Sequence, residues 1–302
     1  MSVNVLDEAP VPSATPGRPG RRTTRFRRGG WGWLVLPGVV FLFFFMLWPL
    51  GGIFQRSVTD PVPGLENYSR FFSTPVEVSS FQTTVTTAVI ITIICAVVGY
   101  IYSYIACRAS ARLAGFLLIV VLLPAWLSLL VRTFAFQLLL RDTGIINRFL
   151  EWTGLIAEPL HMIRTPFAVA VGMVNILLPF MVFPIYAAMR QIDPDYERAA
   201  ASLGATPLRG HLRAFLPIAM PGVLAGSLLV FVSSLGFYIT PALLGGAKDL
   251  FLSQLVVQHF SQLEWGYGSA IAVVLIVATI ITIGVASRFM RVGSVYGVGE
   301  RE

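Results

Sequence analysis

Six stretches of this 302-residue chain are apolar over about 20 residues or more, the length a helix needs to cross the hydrocarbon of a bilayer. They are Trp33–Ile53, Thr84–Ala106, Leu113–Leu140, Pro166–Met189, Phe215–Ile239 and Tyr267–Phe289. The third is interrupted by Pro124 and Arg132 and reads as kinked. The fifth opens on Leu216-Pro217 and carries Pro221 and Gly222. Such breaks are tolerated in a membrane where neighbouring helices satisfy the freed backbone groups. The pattern predicts an all-α integral membrane protein with six transmembrane helices in a domain over residues 31–302. Residues 1–30, rich in Pro, Gly and Arg, read as a disordered tail.

Composition agrees with that pattern. The chain is 56% hydrophobic and 12% charged, with a mean hydropathy of +0.76; a soluble domain carries about 25% charged residues. The net charge of +7 comes from 22 basic and 15 acidic residues. In a soluble protein it would point to nucleic acid, but in a membrane protein basic residues mark the cytoplasmic loops, and no nucleic-acid partner is expected. With the N-terminus inside, fifteen basic residues fall on the cytoplasmic side: six in the tail, Arg108, Arg112, Arg190, Arg198, Arg209, Arg213, Arg288, Arg291 and Arg301. Six fall outside: Arg56, Arg70, Arg141, Arg148, Arg164 and Lys248. Both termini are therefore expected in the cytoplasm, with eight acids in the outer loops and none inside a span. Arg21 to Arg28 resemble the charged start of a signal peptide, but the apolar run that follows is too long and lacks a small-residue cleavage site, so it reads as an uncleaved first span.

Few residues suggest chemistry. Cys95 and Cys107 read as packing residues, and His161, His211 and His259 are scattered singles with no metal spacing. No G-x-x-x-x-G-K-[ST] phosphate loop is present, and neither cofactor nor catalytic residue is expected. Phe41 to Phe45 either face lipid or line an apolar path, while Trp31, Trp33 and Trp48 suit the membrane interface. Arg132, the one charge inside a predicted span, reads either as a gate or scaffold residue beside a polar path or as an arginine snorkelling outward. Asp249, Glu264, Trp265 and Tyr267 in or beside the last outer loop combine acid with aromatic faces. That suits an alkylammonium solute, and equally ordinary loop charge with interfacial aromatics.

The connection over residues 190–215 is long but has the chemistry of ordered structure. Asp193 stands at an N-cap with Pro194 at the first helical position, and Asp195 and Glu197 fall in or beside the first turn, where the helix dipole favours them. Ala199, Ala200 and Leu203 are spaced to share a face. Gly204 stands where a left-handed cap would close the helix, and Thr206-Pro207 start a second short one.

These residues resemble the EAA loop of ABC importer membrane subunits. That pattern reads E-A-A, three residues, G, nine residues, I-x-L-P. Aligned on Gly204, its alanines are Ala199 and Ala200 and its end is Leu216-Pro217; its Glu falls on Arg198, with Glu197 one residue earlier, and its Ile on Ala214. Gly99 to Ala106 and Leu130 to Phe136 resemble the family's second and third spans. The segment Gly236–Lys248, with Phe237 and Tyr238, and the later Trp265-Gly-Tyr-Gly268 resemble the spermidine/putrescine permease subfamily.

The resemblance implies a type I ABC importer permease fold with its core over about residues 80–290. It also implies a cytoplasmic ABC ATPase dimer, a second permease subunit and an extracytoplasmic solute-binding protein as partners in the inner membrane. Asp195, Glu197, Ala199, Ala200, Leu203, Gly204, Leu216 and Pro217 are then the expected ATPase-coupling residues. Arg132, Phe237, Tyr238, Asp249, Glu264, Trp265 and Tyr267 are the expected pathway residues. Importers of phosphonate or ferric ion, and a self-sufficient secondary transporter, are the alternatives. The absence of acids within the predicted spans weighs against ion coupling.

Overall fold

Long apolar runs fold into long helices here, because backbone N–H and C=O groups facing lipid can be satisfied only within the helix itself. The computed structural model describes residues 32–193, 195–246 and 249–295. Residues up to Pro49 form one unit and those from Leu50 another. The first apolar helix, Val35–Thr59 (α1), is long and apolar enough to cross a membrane. It contains a π-turn at Phe43–Leu47, and Phe41 stacks on Phe45 with ring centroids 4.5 Å apart.

In the second unit the elements run α2 (Glu66–Ser73), α3 (Pro75–Arg108), α4 (Ala111–Trp126), α5 (Leu129–Leu139), α6 (Ile145–Trp152), α7 (Pro166–Met189), α8 (Asp195–Ser202), α9 (Pro207–Leu235), α10 (Ile239–Leu244), α11 (Leu252–Ser261) and α12 (Trp265–Val295). Helices α3, α7, α9 and α12 are each long and apolar enough to span, and the bent pair α4 and α5 is so when taken together.

Helix α7 is the centre of the core. Its Met173, Leu177, Met181, Ile185 and Met189 recur every fourth residue and are buried, and the helix packs against both α3 and α9. Apolar side chains gain little from leaving lipid, so close backbone approach and dispersion must hold such helices together. Small residues supply that approach: a Cβ on Gly99 of α3 would lie 2.7 Å from Met181 Cγ, and one on Gly226 of α9 would lie 3.1 Å from the Met181 carbonyl oxygen. The Ser103 hydroxyl adds a buried bond from α3 to the Val182 carbonyl at 3.1 Å.

Four boundaries differ from the sequence expectation. The third span is broken rather than kinked: α4 and α5 meet at 99°, two residues beyond Pro124, where a short 3₁₀ turn uses up the helix. The second span begins at Pro75 rather than Thr84, a 34-residue helix of about 50 Å that brings the buried Glu77 into its first turn. The expected second short helix after Gly204 is the start of α9, which runs unbroken from Pro207 through a π-turn at His211–Phe215; the missing N–H of Pro217 is absorbed there. The same helix stops at Leu235, before Ile239, because Gly236 to Tyr238 leave it. The 1–30 tail, Trp31, the side chains of Trp33 and Arg291, Pro194, Lys248 and Arg301 lie outside the described residues.

Candidate functional site

Two groups of polar side chains stand at opposite ends of α3. At its Arg108 end lies α8. Its start is capped as expected, with the Asp193 carboxylate accepting from Asp195 N at 2.9 Å. Its end is closed by Gly204 at φ +81, where Gly204 N donates to the Ala201 carbonyl and Ala205 N to that of Ala200. This double closure needs a left-handed residue, which glycine adopts without a Cβ penalty. Thr206 has the extended backbone of a cap residue, but its side chain makes no capping bond.

The faces of α8 divide unequally. Leu203 is 89% exposed, and Tyr196 and Ala199 are exposed as well. Ala200 departs from the expected shared face: it is half-buried toward Gly210 of α9, where a Cβ would meet it at 3.5 Å. Arg198 points outward and pairs with Asp195 at 2.8 Å, an exposed i,i+3 contact that contributes little. Glu197 turns inward. It pairs with Arg108 and lies 3.7 Å from Nδ1 of His211, so one carboxylate joins α8 to both α3 and α9. Around it, the Tyr100 hydroxyl bonds Nε2 of His211 at 2.8 Å, Tyr104 meets the His211 ring edge-on at 4.6 Å, and the Arg108 guanidinium lies over Tyr104 at 5.0 Å. A cleft of about 390 Å³ opens beside these residues. Sequence reasoning gave His211 no role. The usable signal was the spacing of Tyr100, Tyr104 and Arg108, four residues apart and so on one helical face.

The Pro75 end gathers three of the expected pathway residues, but with internal partners. Tyr267 is 2% exposed; its hydroxyl donates to Glu77 Oε1 at 3.1 Å, and the Arg70 guanidinium covers its ring at 3.9 Å. Glu264 pairs with His259 at 2.9 Å and with Arg70 at 3.4 Å. Trp265 remains partly open, with Arg56 at 5.7 Å from its ring. The ion-pair and cation–π positions that a solute would use are thus filled by Arg70 and Arg56 of the same chain.

The other expected residues lie apart from that cluster. Arg132 is 8% exposed and donates to the Leu127 carbonyl at 3.1 Å, so it closes the break between α4 and α5 from inside. Phe237 and Tyr238 form the break between α9 and α10, beside a hollow of about 230 Å³ that Leu129 of α5 also lines. Asp249 stands in a separate cleft against α3, accepting from Gly246 N at 3.2 Å. Among the described residues, no group of His, Cys, Asp and Glu could hold a metal ion.

The family model for inner membrane components of binding-protein-dependent transport systems matches residues 99–290. The chain is similar to the spermidine/putrescine transport system permease protein PotB of Escherichia coli (strain K12), 34% identical over 249 residues, which are 81% of this chain and 89% of the relative. The PotB of Haemophilus influenzae is 34% identical over 214 residues, 70% of this chain and 74% of the relative. A solved bacterial alginate ABC transporter, in complex with an alginate pentasaccharide-bound periplasmic protein, aligns with a TM-score of 0.71 at 16% identity, over 86% of this chain and 93% of that chain. At such identity the likeness is one of fold, and it agrees with the ABC importer permease fold expected from the sequence.

Breaking the Arg108–Glu197 pair is expected to loosen α8 without unfolding the long helices. In Glu197→Gln, amide hydrogen exchange over residues 195–203 should rise roughly fivefold, the equivalent of about 1 kcal/mol for a half-exposed ion pair. The exchange Arg108→Glu with Glu197→Arg should recover part of the protection. Unchanged exchange in Glu197→Gln would mean that the two caps alone hold the helix.

Proposed function

Because the chain belongs to the inner membrane components of binding-protein-dependent transport systems, we propose that it is the permease subunit of an ABC importer for the polyamines spermidine and putrescine. The observation that carries the substrate is its relatedness, over most of its length, to polyamine permeases. Solute delivered by an extracytoplasmic binding protein crosses between this chain and a second permease, driven by a cytoplasmic ABC ATPase dimer. The test is ATP-dependent uptake of labelled spermidine and putrescine by proteoliposomes holding both permeases, the ATPase and the cognate binding protein. Uptake of a phosphonate or a ferric complex with neither polyamine would remove the substrate assignment and leave the importer.

The exposed apolar face of α8 supports the ATPase as its partner. Tyr196, Ala199 and Leu203 present that face, Asp193 and Gly204 fix its ends, and Glu197 and Ala200 hold it to α3 and α9, while Asp195 pairs with Arg198 on its surface. Leu216 and Pro217 lie in α9 beyond the π-turn and carry displacement into the span. Gly204→Asp is expected to abolish transport and to leave the amount of protein in the membrane unchanged. A side chain at φ +81 costs about 1–2 kcal/mol, and a carboxylate at the negative end of the helix adds to it. Wild-type uptake by this variant would remove the docking role.

The excess of basic residues in the expected inner loops supports an inward Arg108 end, with both termini cytoplasmic, residues 1–30 a tail and residues 31–302 the transmembrane domain. In a background lacking Cys95 and Cys107, Glu66→Cys and Glu151→Cys should react with an impermeant thiol reagent on intact cells. Reaction of Thr206→Cys from outside would reverse the orientation.

A further inference from the structure

Along α3, from its Pro75 end toward its middle, runs a polar strip. Ser79, Gln82 and Thr86 are exposed, and Thr83 and Thr87 are half-buried beside them. Their spacing of three and four residues puts them on one face over about 12 Å. Other hydroxyls of the same helix are spoken for within the protein. Thr84 donates to the Ser80 carbonyl and accepts from Leu252 N at 2.8 Å, and Thr92 donates to the Ala88 carbonyl. Gln82, Thr83, Thr86 and Thr87 make no side-chain hydrogen bond among the described residues. An amide and three hydroxyls left without partners are costly against hydrocarbon, so this face belongs to a polar space.

That space is a cleft of about 370 Å³, walled opposite the strip by Pro166 and Val169 of α7 and by Phe251. Asp249 is the one ionisable side chain in its lining, and no Arg or Lys lines it among the described residues. Its Oδ2 accepts from Gly246 N at 3.2 Å, and among the described residues it enters no ion pair. Unlike the Glu264 and Tyr267 cluster, which Arg70 covers, this carboxylate has no arginine upon it among the described residues. The cleft therefore combines one anion, a row of neutral acceptors and an aliphatic wall.

We propose that this cleft is a solute subsite for an alkylammonium chain. Asp249 pairs with one ammonium, the oxygens of Gln82, Thr83, Thr86 and Thr87 accept from a second along the strip, and the intervening methylenes lie against Val169 and Ile90. The proposal rests on the polyamine reading above and names where on this subunit that solute is held. The sequence pattern supports it as well, because five of the six residues from Gln82 to Thr87 are polar, just before the apolar run Ala88–Ile91 of the same helix.

The test uses the whole complex in proteoliposomes with saturating binding protein. Asp249→Asn keeps an acceptor for Gly246 N and removes the charge; spermidine uptake should fall at least tenfold. The paired variant Thr83→Val with Thr86→Val should fall several-fold. In both, stimulation of ATP hydrolysis by the loaded binding protein should persist, which a misassembled complex would not show. In a background without Cys95 and Cys107, Thr86→Cys should react with a charged thiol reagent, and spermidine should slow that reaction. Wild-type uptake by Asp249→Asn and by the threonine pair would overturn the subsite. So would a Thr86→Cys that reacts only with a lipid-partitioning reagent, or one that cross-links to the second permease and shows no protection by spermidine. A wild-type complex that imports neither polyamine overturns both the subsite and the polyamine reading. One that imports them while these variants do so equally overturns the subsite alone.

Discussion

A polar backbone atom in hydrocarbon has no water to turn to, and the places where this chain departs from regular helix are built around that constraint. At the 99° turn between α4 and α5 the Leu127 carbonyl loses its helical partner, and Arg132 reaches back to supply one. Where α11 begins, Leu252 N has no preceding turn to bond, and Thr84 of α3 accepts from it. Thr133 of α5 and Thr240 of α10 meet at 3.4 Å beside the breaks in the third and fifth spans. Side chains thus satisfy the freed groups at the α4–α5 turn and at the start of α11, and the threonine pair ties α5 to α10.

The same core makes the Arg108 end mechanically continuous with the long helices. Met181 is seated between Gly99 of α3 and Gly226 of α9, too close on both sides for either helix to slide freely past α7. Arg108 terminates α3 and His211 lies near the start of α9, and Glu197 reaches both from α8. A displacement of α8 is therefore delivered to two helices already locked through a third. The rigid caps at Asp193 and Gly204 keep that displacement from being absorbed in bending of α8 itself.

Much of this was legible in the sequence because it is local. The apolar runs, the cap at Asp193 and the left-handed Gly204 each depend on residues within a few positions of one another; the two caps appear where the pattern put them, and the runs appear as helices with shifted or broken ends in the second, third and fifth spans. What was not legible is long-range. Glu264, Trp265 and Tyr267 look like an open acid-and-aromatic patch until α2 and α3 bring Arg70 and Glu77 against them, about 190 residues away in the chain. Arg132 could be read as snorkelling until the break at Leu127 gave its guanidinium an internal acceptor. The threonines of α3 carried the opposite ambiguity: a hydroxyl in a spanning helix can bond its own preceding turn, and only the fold separates Thr84 and Thr92, which do so, from Thr83, Thr86 and Thr87.

The departure of the 190–215 segment from the E-A-A pattern has a geometric consequence. Successive residues on a helix are rotated by about 100°. Moving the acid from position 198 to Glu197 therefore swings it from the outward face of α8 onto the bundle, where Arg108 and His211 receive it. Position 198 is left with an arginine whose nearest carboxylate is the exposed Asp195. The outward face then consists of Tyr196, Ala199 and Leu203 flanked by a positive charge, rather than small residues flanked by a negative one. Such a face is suited to an apolar cleft with an acidic rim. Charge at the rim governs which partners approach more than how tightly the right one holds. The one-residue shift thus gives the acid an internal role, tying α8 to α3 and α9, while Gly204 keeps the shape of the helix on which that role depends.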